Sequence, residues 1–193
     1  MSIASVAKVR AELRREMAAD QSPARTDQPV VDDAVFLEVM ASFAASVAVV
    51  SAIDERGEPR GLTTTAVASV SREPPLLLVC IDRSSRTLPA IRHSSHFAVS
   101  FLAQPHTEVA LLFSSKVDDK FAEIDWTAGV SGSPVLHEHS HAWVDCRVSQ
   151  EIEAGDHVIL IAEVADAGVV EQHGGQPLAY FGRSFGQFVP SRS

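Results

Sequence analysis

The chain has 193 residues, 46% of them hydrophobic, with 16 Lys and Arg against 25 Asp and Glu and a formal net charge of -9. That length suits one domain with a short extension and room for a substantial core, while the acidic balance disfavours a protein that must neutralise nucleic-acid phosphates. No apolar run approaches the roughly 18 residues that span a bilayer, and charges stand where a signal peptide needs an apolar core, so the plain expectation is a cytoplasmic protein with neither a membrane nor a nucleic-acid partner.

In chain order, residues 1–32 read as an N-terminal extension. Val6, Val9, Leu13 and Met17 recur at helical spacing among Lys8, Arg10, Arg14 and Arg15, which predicts a short amphipathic helix. Gln21 to Gln28 is polar, carries Pro23 and runs into Pro29, and so reads as a linker. The main domain is placed at 33–190. Asp33 to Ala44 predicts a helix capped by Asp32 or Asp33, with Phe36, Val39, Met40 and Phe43 on one packing face.

Beyond Ser46 the pattern changes to short β segments: Val47 to Ile53, Leu62 to Val70, Leu76 to Ile81, His96 to Leu102, Ala142 to Ile152 and Val158 to Ala165. Asp54-Glu55-Arg56-Gly57 supplies a hairpin turn between the first two. In the fifth segment Val144, Cys146 and Val148 alternate with Asp145, Arg147 and Ser149, the period of a strand with one wet face. Helices are predicted near Thr87 to His93 and Thr107 to Phe113. Many strands, few helices and no βαβ rhythm argue for a mainly β fold, a closed or partly closed antiparallel barrel. Cys80 and Cys146 sit in apolar runs without zinc-ligand spacing and read as buried reduced thiols.

Two polar patches hang on this scaffold. Gly61-Leu62-Thr63-Thr64-Thr65-Ala66 opens a hydroxyl-rich strand, and Asp82-Arg83-Ser84-Ser85-Arg86-Thr87 follows the buried run after Pro74-Pro75. Taken alone, threonines simply suit strands and a Ser-Arg-Thr cluster caps a helix. His137, His139 and His141 would share one face of a strand, which makes a metal site geometrically conceivable, but no carboxylate motif supports it and no metal is expected.

The order of motifs carries more than any one of them. Gly61-x-Thr63, Val70-Ser71-x-x-Pro74-Pro75-Leu76, Ser84 to Thr87, Lys120-Phe121-Ala122, Asp125-Trp126, Gly155-Asp156-His157 and Pro177-Leu178-x-Tyr180 fall in sequence over roughly residues 36 to 188. In this order the chain resembles the flavin reductase family, the small components that supply reduced flavin to two-component monooxygenases, whose fold is the FMN-binding antiparallel split β-barrel. Ser46 stands where that family commonly has Gly, and Thr64-Thr65 where many members have smaller pairs.

The resemblance implies FMN or FAD as flavin and NADH or NADPH as hydride donor. It places flavin contacts on Arg60, Gly61, Leu62, Thr63, Thr64, Thr65 and Ala66 for the ring's polar edge, with Gly61 admitting close approach of the ring. Cys80, Ile81, Asp82, Ser84, Ser85, Arg86 and Thr87 are implied for ribityl and phosphate. Leu112, Phe113 and the stretch to Lys120 close over the flavin chain, with Lys116 or Lys120 a further phosphate partner. His157 is implied beside the nicotinamide, and Tyr180, Phe181, Gly182 and Arg183 along the nicotinamide nucleotide. It further implies a homodimer and a separate oxygenase partner reached by diffusing reduced flavin. No Gly-x-Gly-x-x-Gly opens a helix, so a Rossmann domain is not expected. Two rival readings remain: a flavin-binding module without reductase activity, and a split-barrel flavin oxidase acting directly on an organic substrate.

Overall fold

The computed structural model describes residues 31–170 and 176–189; the helix and linker expected within residues 1–30 lie outside them. Its contacts group the chain into two units, Met1–Phe36 and Leu37–Ser193. The described part of the first is Val31 to Phe36, which opens helix α1 (Asp33–Ala41). Asp32 is the N-cap, its Oδ1 accepting the Ala34 amide at 2.8 Å and its carbonyl the Phe36 amide at 2.9 Å. The expected packing face is not buried: Phe36, Val39, Met40 and Phe43 are 52%, 60%, 48% and 67% exposed. An apolar stripe fixes which face of a helix seeks cover, but nothing among the described residues supplies it here.

Seven strands form one antiparallel sheet in the order β3-β2-β6-β9-β10-β5-β4. They are β2 (Ala48–Ile53), β3 (Pro59–Thr64), β4 (Val67–Arg72), β5 (Pro75–Asp82), β6 (His96–Leu102), β9 (Ser140–Ala154) and β10 (His157–Val169). The single strand expected over Leu62 to Val70 is thus two strands, β3 and β4, broken at Thr65-Ala66. These two lie at opposite edges of the sheet yet are consecutive in the chain. Two residues leave the edges within about 11 Å of each other at that corner. The sheet must therefore curl until its edges nearly meet, which makes a barrel with a seam between β3 and β4. The Cys80 amide donates to the Ala66 carbonyl at 3.0 Å and pins the corner to β5.

β2 is the wall shared by two cores, because alternate side chains point to opposite faces. Ala48, Val50 and Ala52 face the barrel interior with Val79, Phe97, Val99, Leu160 and Cys146. Helix α2 (Thr87–Ser94) plugs that interior with Leu88, Ala90 and Ile91. Val47 and Val49 face a second core outside the barrel, built from Val109, Ala110 and Phe113 of helix α3 (Thr107–Ser114) with Phe121, Leu136 and Leu178. Ser51 Oγ donates to the Pro134 carbonyl at 2.5 Å and Ser100 Oγ accepts the Leu136 amide at 3.0 Å, fastening segment 134–136 to the sheet. That segment includes β8 (Pro134–Val135), paired with β7 (Thr127–Ala128). A small sheet of β1 (Ala45–Ser46), β11 (Leu178–Phe181) and β12 (Ser184–Gln187), which the sequence reading did not assign, completes the fold. Among the described residues no helix is long and apolar enough to cross a membrane.

Of the two thiols expected to be buried, Cys146 is and Cys80 is not fully so. Cys146 is buried and burial pushes its thiol up to about 12, while Cys80 is only partly buried, with its thiol also raised by desolvation. The histidine run does not share a strand face, because His137–His139 is a turn of 3₁₀-helix before β9 begins. His137 meets the Trp143 ring at 5.1 Å, His139 meets His106 at 4.9 Å and His141 meets Phe101 at 6.4 Å between centroids. Among the described residues no three potential ligands converge on a metal position.

Two outcomes follow from this packing. A Cβ built on Gly61 would stand 2.7 Å from the Phe113 ring and 3.2 Å from Phe121, so Gly61→Ala overpacks the second core and lowers stability by about 1–3 kcal/mol, read as a fall in urea midpoint. His139 and His141 both have lowered pKa values, His139 through burial and then the nearby His106, His141 through burial. Folded values below the unfolded value of about 6.5 mean the neutral forms stabilise the fold. That stability is present above about pH 6.5 and is lost as pH falls toward the folded values. The thermal midpoint should fall between pH 7.5 and 5.5, and His139→Gln should flatten that slope.

Candidate functional site

A cavity of about 800 Å³ opens beside β3, bounded by the end of β5, the 84–87 segment, the C-terminal end of α3, residues 114–121 and His157. Four basic side chains, Arg60, Arg86, Lys116 and Lys120, line it against two carboxylates, Asp82 and Asp118, so it is a locally cationic site in a chain of net charge -9.

β3 is an edge strand, paired only with β2. Lys120 Nζ donates to the Gly61 carbonyl at 3.2 Å, which puts that carbonyl on the unpaired side of the strand. By strand alternation the backbone groups of Thr63 face the same way. The side-chain hydroxyls are otherwise engaged. Thr63 Oγ1 donates to the Ala110 carbonyl at 2.7 Å and Thr64 Oγ1 accepts the Ala66 amide at 3.0 Å. Thr65 and Ala66 are exposed at the barrel corner, outside the cavity lining. What β3 offers a planar ligand is therefore its outer backbone edge, on which the Gly61 carbonyl already accepts from Lys120. The missing side chain of Gly61 is filled on one side by Phe113, a packing reason for glycine that a ring-approach argument overlooks.

At the far wall, β5 ends in Cys80, Ile81 and Asp82, all lining the cavity. Asp82 Oδ1 accepts both the Ser84 hydroxyl at 2.6 Å and the Ser84 amide at 2.7 Å, which hold its carboxyl below the usual range, with His157 adding to the effect. Ser85 Oγ accepts the Thr87 amide at 3.2 Å, and Thr87 begins α2 with its side chain buried. This wall presents hydroxyls and a helix N-terminus, the groups that meet phosphate elsewhere.

Arg60 lines the cavity with its Nε tied to Asp54 Oδ2 at 2.8 Å. Asp54 also accepts the Glu58 and Arg56 amides, which closes the β2–β3 turn and lowers its pKa. Lys120 Nζ donates to the Phe113 carbonyl at 2.7 Å as well as to Gly61, and burial, reinforced by Arg86, depresses its pKa.

His157 starts β10 directly opposite Asp82 in register, after a two-residue turn in which Gly155 takes φ 65. Its Nδ1 lies 2.8 Å from Asp156 Oδ1, so Asp156 accepts the Nδ1 proton and leaves Nε2 as the ring atom for a ligand. His157 in turn holds the Asp156 carboxyl below its ordinary value.

The remaining expected residues stand apart. Leu112 and Tyr180 pack against the second core, Tyr180 with its ring 5.2 Å from Phe185. Phe181 is 58% exposed, and Gly182 and Arg183 form the β11–β12 turn with φ 57 and 62. None of Leu112, Tyr180, Phe181, Gly182 and Arg183 lines the cavity. Ser114, Ser115 and Asp118, within the stretch expected to close over the flavin chain, do line it, as does Pro59, which no sequence signal marked as a site residue.

Residues 40–188 match the flavin reductase like domain family. The chain is 39% identical over 160 residues to a flavin reductase (NADH) of Kitasatospora aureofaciens, covering 82% of this chain and 83% of that protein. It is 41% identical over 153 residues to a flavin reductase (NADPH) of Lentzea aerocolonigenes, covering 79% and 88%. Among solved structures, the NADH:FAD oxidoreductase SgcE6 of Streptomyces globisporus, in complex with NAD and FAD fragments, superposes with a TM-score of 0.77 at 30% identity, covering 86% of this chain and 100% of that one. With most of its length matched and its barrel shared with these relatives, the chain belongs to the flavin reductase like domain family.

Proposed function

We propose that this protein is an NAD(P)H:flavin oxidoreductase that reduces FMN or FAD and supplies the reduced flavin to a separate monooxygenase. The observation that carries the reading is the cationic cavity at the barrel seam, where a free strand edge faces a hydroxyl-rich helix start across a space large enough for a flavin. Two relatives are named for NADH and NADPH respectively, so both donors are candidates here. The reductase component of the 4-nitrophenol 4-monooxygenase of Rhodococcus opacus, 34% identical over 174 residues, supports the oxygenase partner.

Bound flavin supplies the hydride acceptor and the nicotinamide nucleotide the hydride, so no protein group has to ionise for the transfer itself. The protein's work is to bind, align and exclude water. The free edge of β3 orients the ring's polar end through backbone groups at Gly61 and Thr63. Ser84, Ser85 and Thr87 take the phosphate end, and Phe113 with Phe121 walls the site from solvent. His157, oriented by Asp156, presents Nε2 to the nicotinamide carboxamide. Residues 33–190 carry all of this as one domain in the cytoplasm, where reduced Cys80 and Cys146 are stable.

The protein also acts as a homodimer. Leu37, Val39, Met40 and Phe43 are all exposed, and the Gly182 amide donates to the Ala41 carbonyl at 2.8 Å, drawing exposed Phe181 to the end of α1. Such an apolar patch is costly in a free monomer. Sedimentation should give twice the 20.7 kDa chain mass, and a single-chain mass would exclude the dimer.

The activity is tested by absorbance at 340 nm with NADH or NADPH and FMN or FAD added in turn. Oxidation that depends on added flavin is expected, and His157→Ala should raise the nicotinamide KM about tenfold with the flavin KM little changed. Flavin binding without turnover for any pair would favour a binding module, and slow-exchanging yellow protein an oxidase.

A further inference from the structure

Residues 115–120 join α3 to Phe121 without regular secondary structure, yet they form one wall of the cavity. A side chain from outside that run, Arg86, holds its backbone. Arg86 Nη2 donates to the Lys116 and Val117 carbonyls, both at 2.9 Å, and Nη1 pairs with the Asp118 carboxylate. At the two ends of the run Lys120 Nζ joins the Phe113 carbonyl to the Gly61 carbonyl of β3. A guanidinium has five N–H donors in a fixed fork, so three of the five are committed to this segment and Nη2 has none left.

We propose that Arg86 and Lys120 are positioning residues that fasten residues 115–120 as a strap across the cavity, and that Arg86 governs flavin affinity through the strap and not by gripping the flavin phosphate. Arg86 stands at the N-cap of α2, on the hydroxyl-bearing wall, and its guanidinium reaches the strap, a second wall of the same cavity. The guanidinium therefore spans the rim between them. Lys120 is half-buried with a depressed pKa, the state of an ammonium desolvated among carbonyls and not of a solvated phosphate ligand. A flavin entering beneath the strap meets a wall whose position depends on these bonds whether or not the flavin carries phosphate. This inference rests on the reductase reading for the identity of the ligand only.

The test compares FMN with riboflavin, which lacks the phosphate, by fluorescence quenching on the full chain, together with hydrogen exchange of the ligand-free protein. Arg86→Ala should weaken both flavins by a similar factor of about tenfold and speed exchange in residues 114–121. Arg86→Lys should behave like Arg86→Ala, since one ammonium cannot hold two carbonyls and a carboxylate at once. Loss confined to FMN, with rescue by Arg86→Lys, would make Arg86 a phosphate ligand and overturn the proposal. So would unchanged exchange, or faster exchange with both flavin affinities intact. If the unaltered protein bound neither flavin, the reductase reading would fail while the exchange data still decided whether the strap exists.

Discussion

The corner at Thr65-Ala66 is the constraint on which the rest depends. A two-residue link between opposite edges of a seven-stranded sheet forces the sheet to curl, and the residual gap between β3 and β4 is where a strand edge stays unpaired. An exposed edge is ordinarily a liability for aggregation. Here it lies in a cavity, where its outer backbone edge is open to a ligand. The register of β10 on β5 places His157 opposite Asp82, at the strand end that forms the far wall.

Charge is distributed to serve that cavity. The chain as a whole is acidic, yet basic side chains outnumber carboxylates among the lining residues. Much of this positive charge is already employed: Arg60 closes a hairpin turn, Arg86 spans the rim and Lys120 joins β3 to α3. Each still contributes to the field felt by an anionic ligand without needing to touch it. A site built this way attracts phosphorylated ligands while leaving few direct bonds to break on release.

The barrel strands were legible because period-two alternation and the Pro-Pro turn are local signals, and α2 and α3 because apolar residues recur at helical spacing. The break between β3 and β4 was not, since Leu62 to Val70 contains neither Gly nor Pro to mark a turn and only closure of the sheet requires a corner there. The exposed face of α1 reads from sequence as a buried stripe, because periodicity identifies the apolar face and not what covers it. Gly61, Arg86 and Lys120 were marked by family resemblance, yet their local roles were hidden. A glycine filled by a phenylalanine 52 positions on, or a cation bonded to distant carbonyls, leaves no trace in spacing. Tyr180 to Arg183 matched a family segment but fold into the second core and a turn, away from the cavity.

The most direct test of the central claim is a crystal structure of the protein soaked with FMN. The account predicts the isoalloxazine along the free edge of β3 with its polar end at Gly61 and Thr63, and the phosphate at Ser84 to Thr87. Flavin lodged elsewhere, or lying in the cavity with its phosphate at the β3 end, would contradict it.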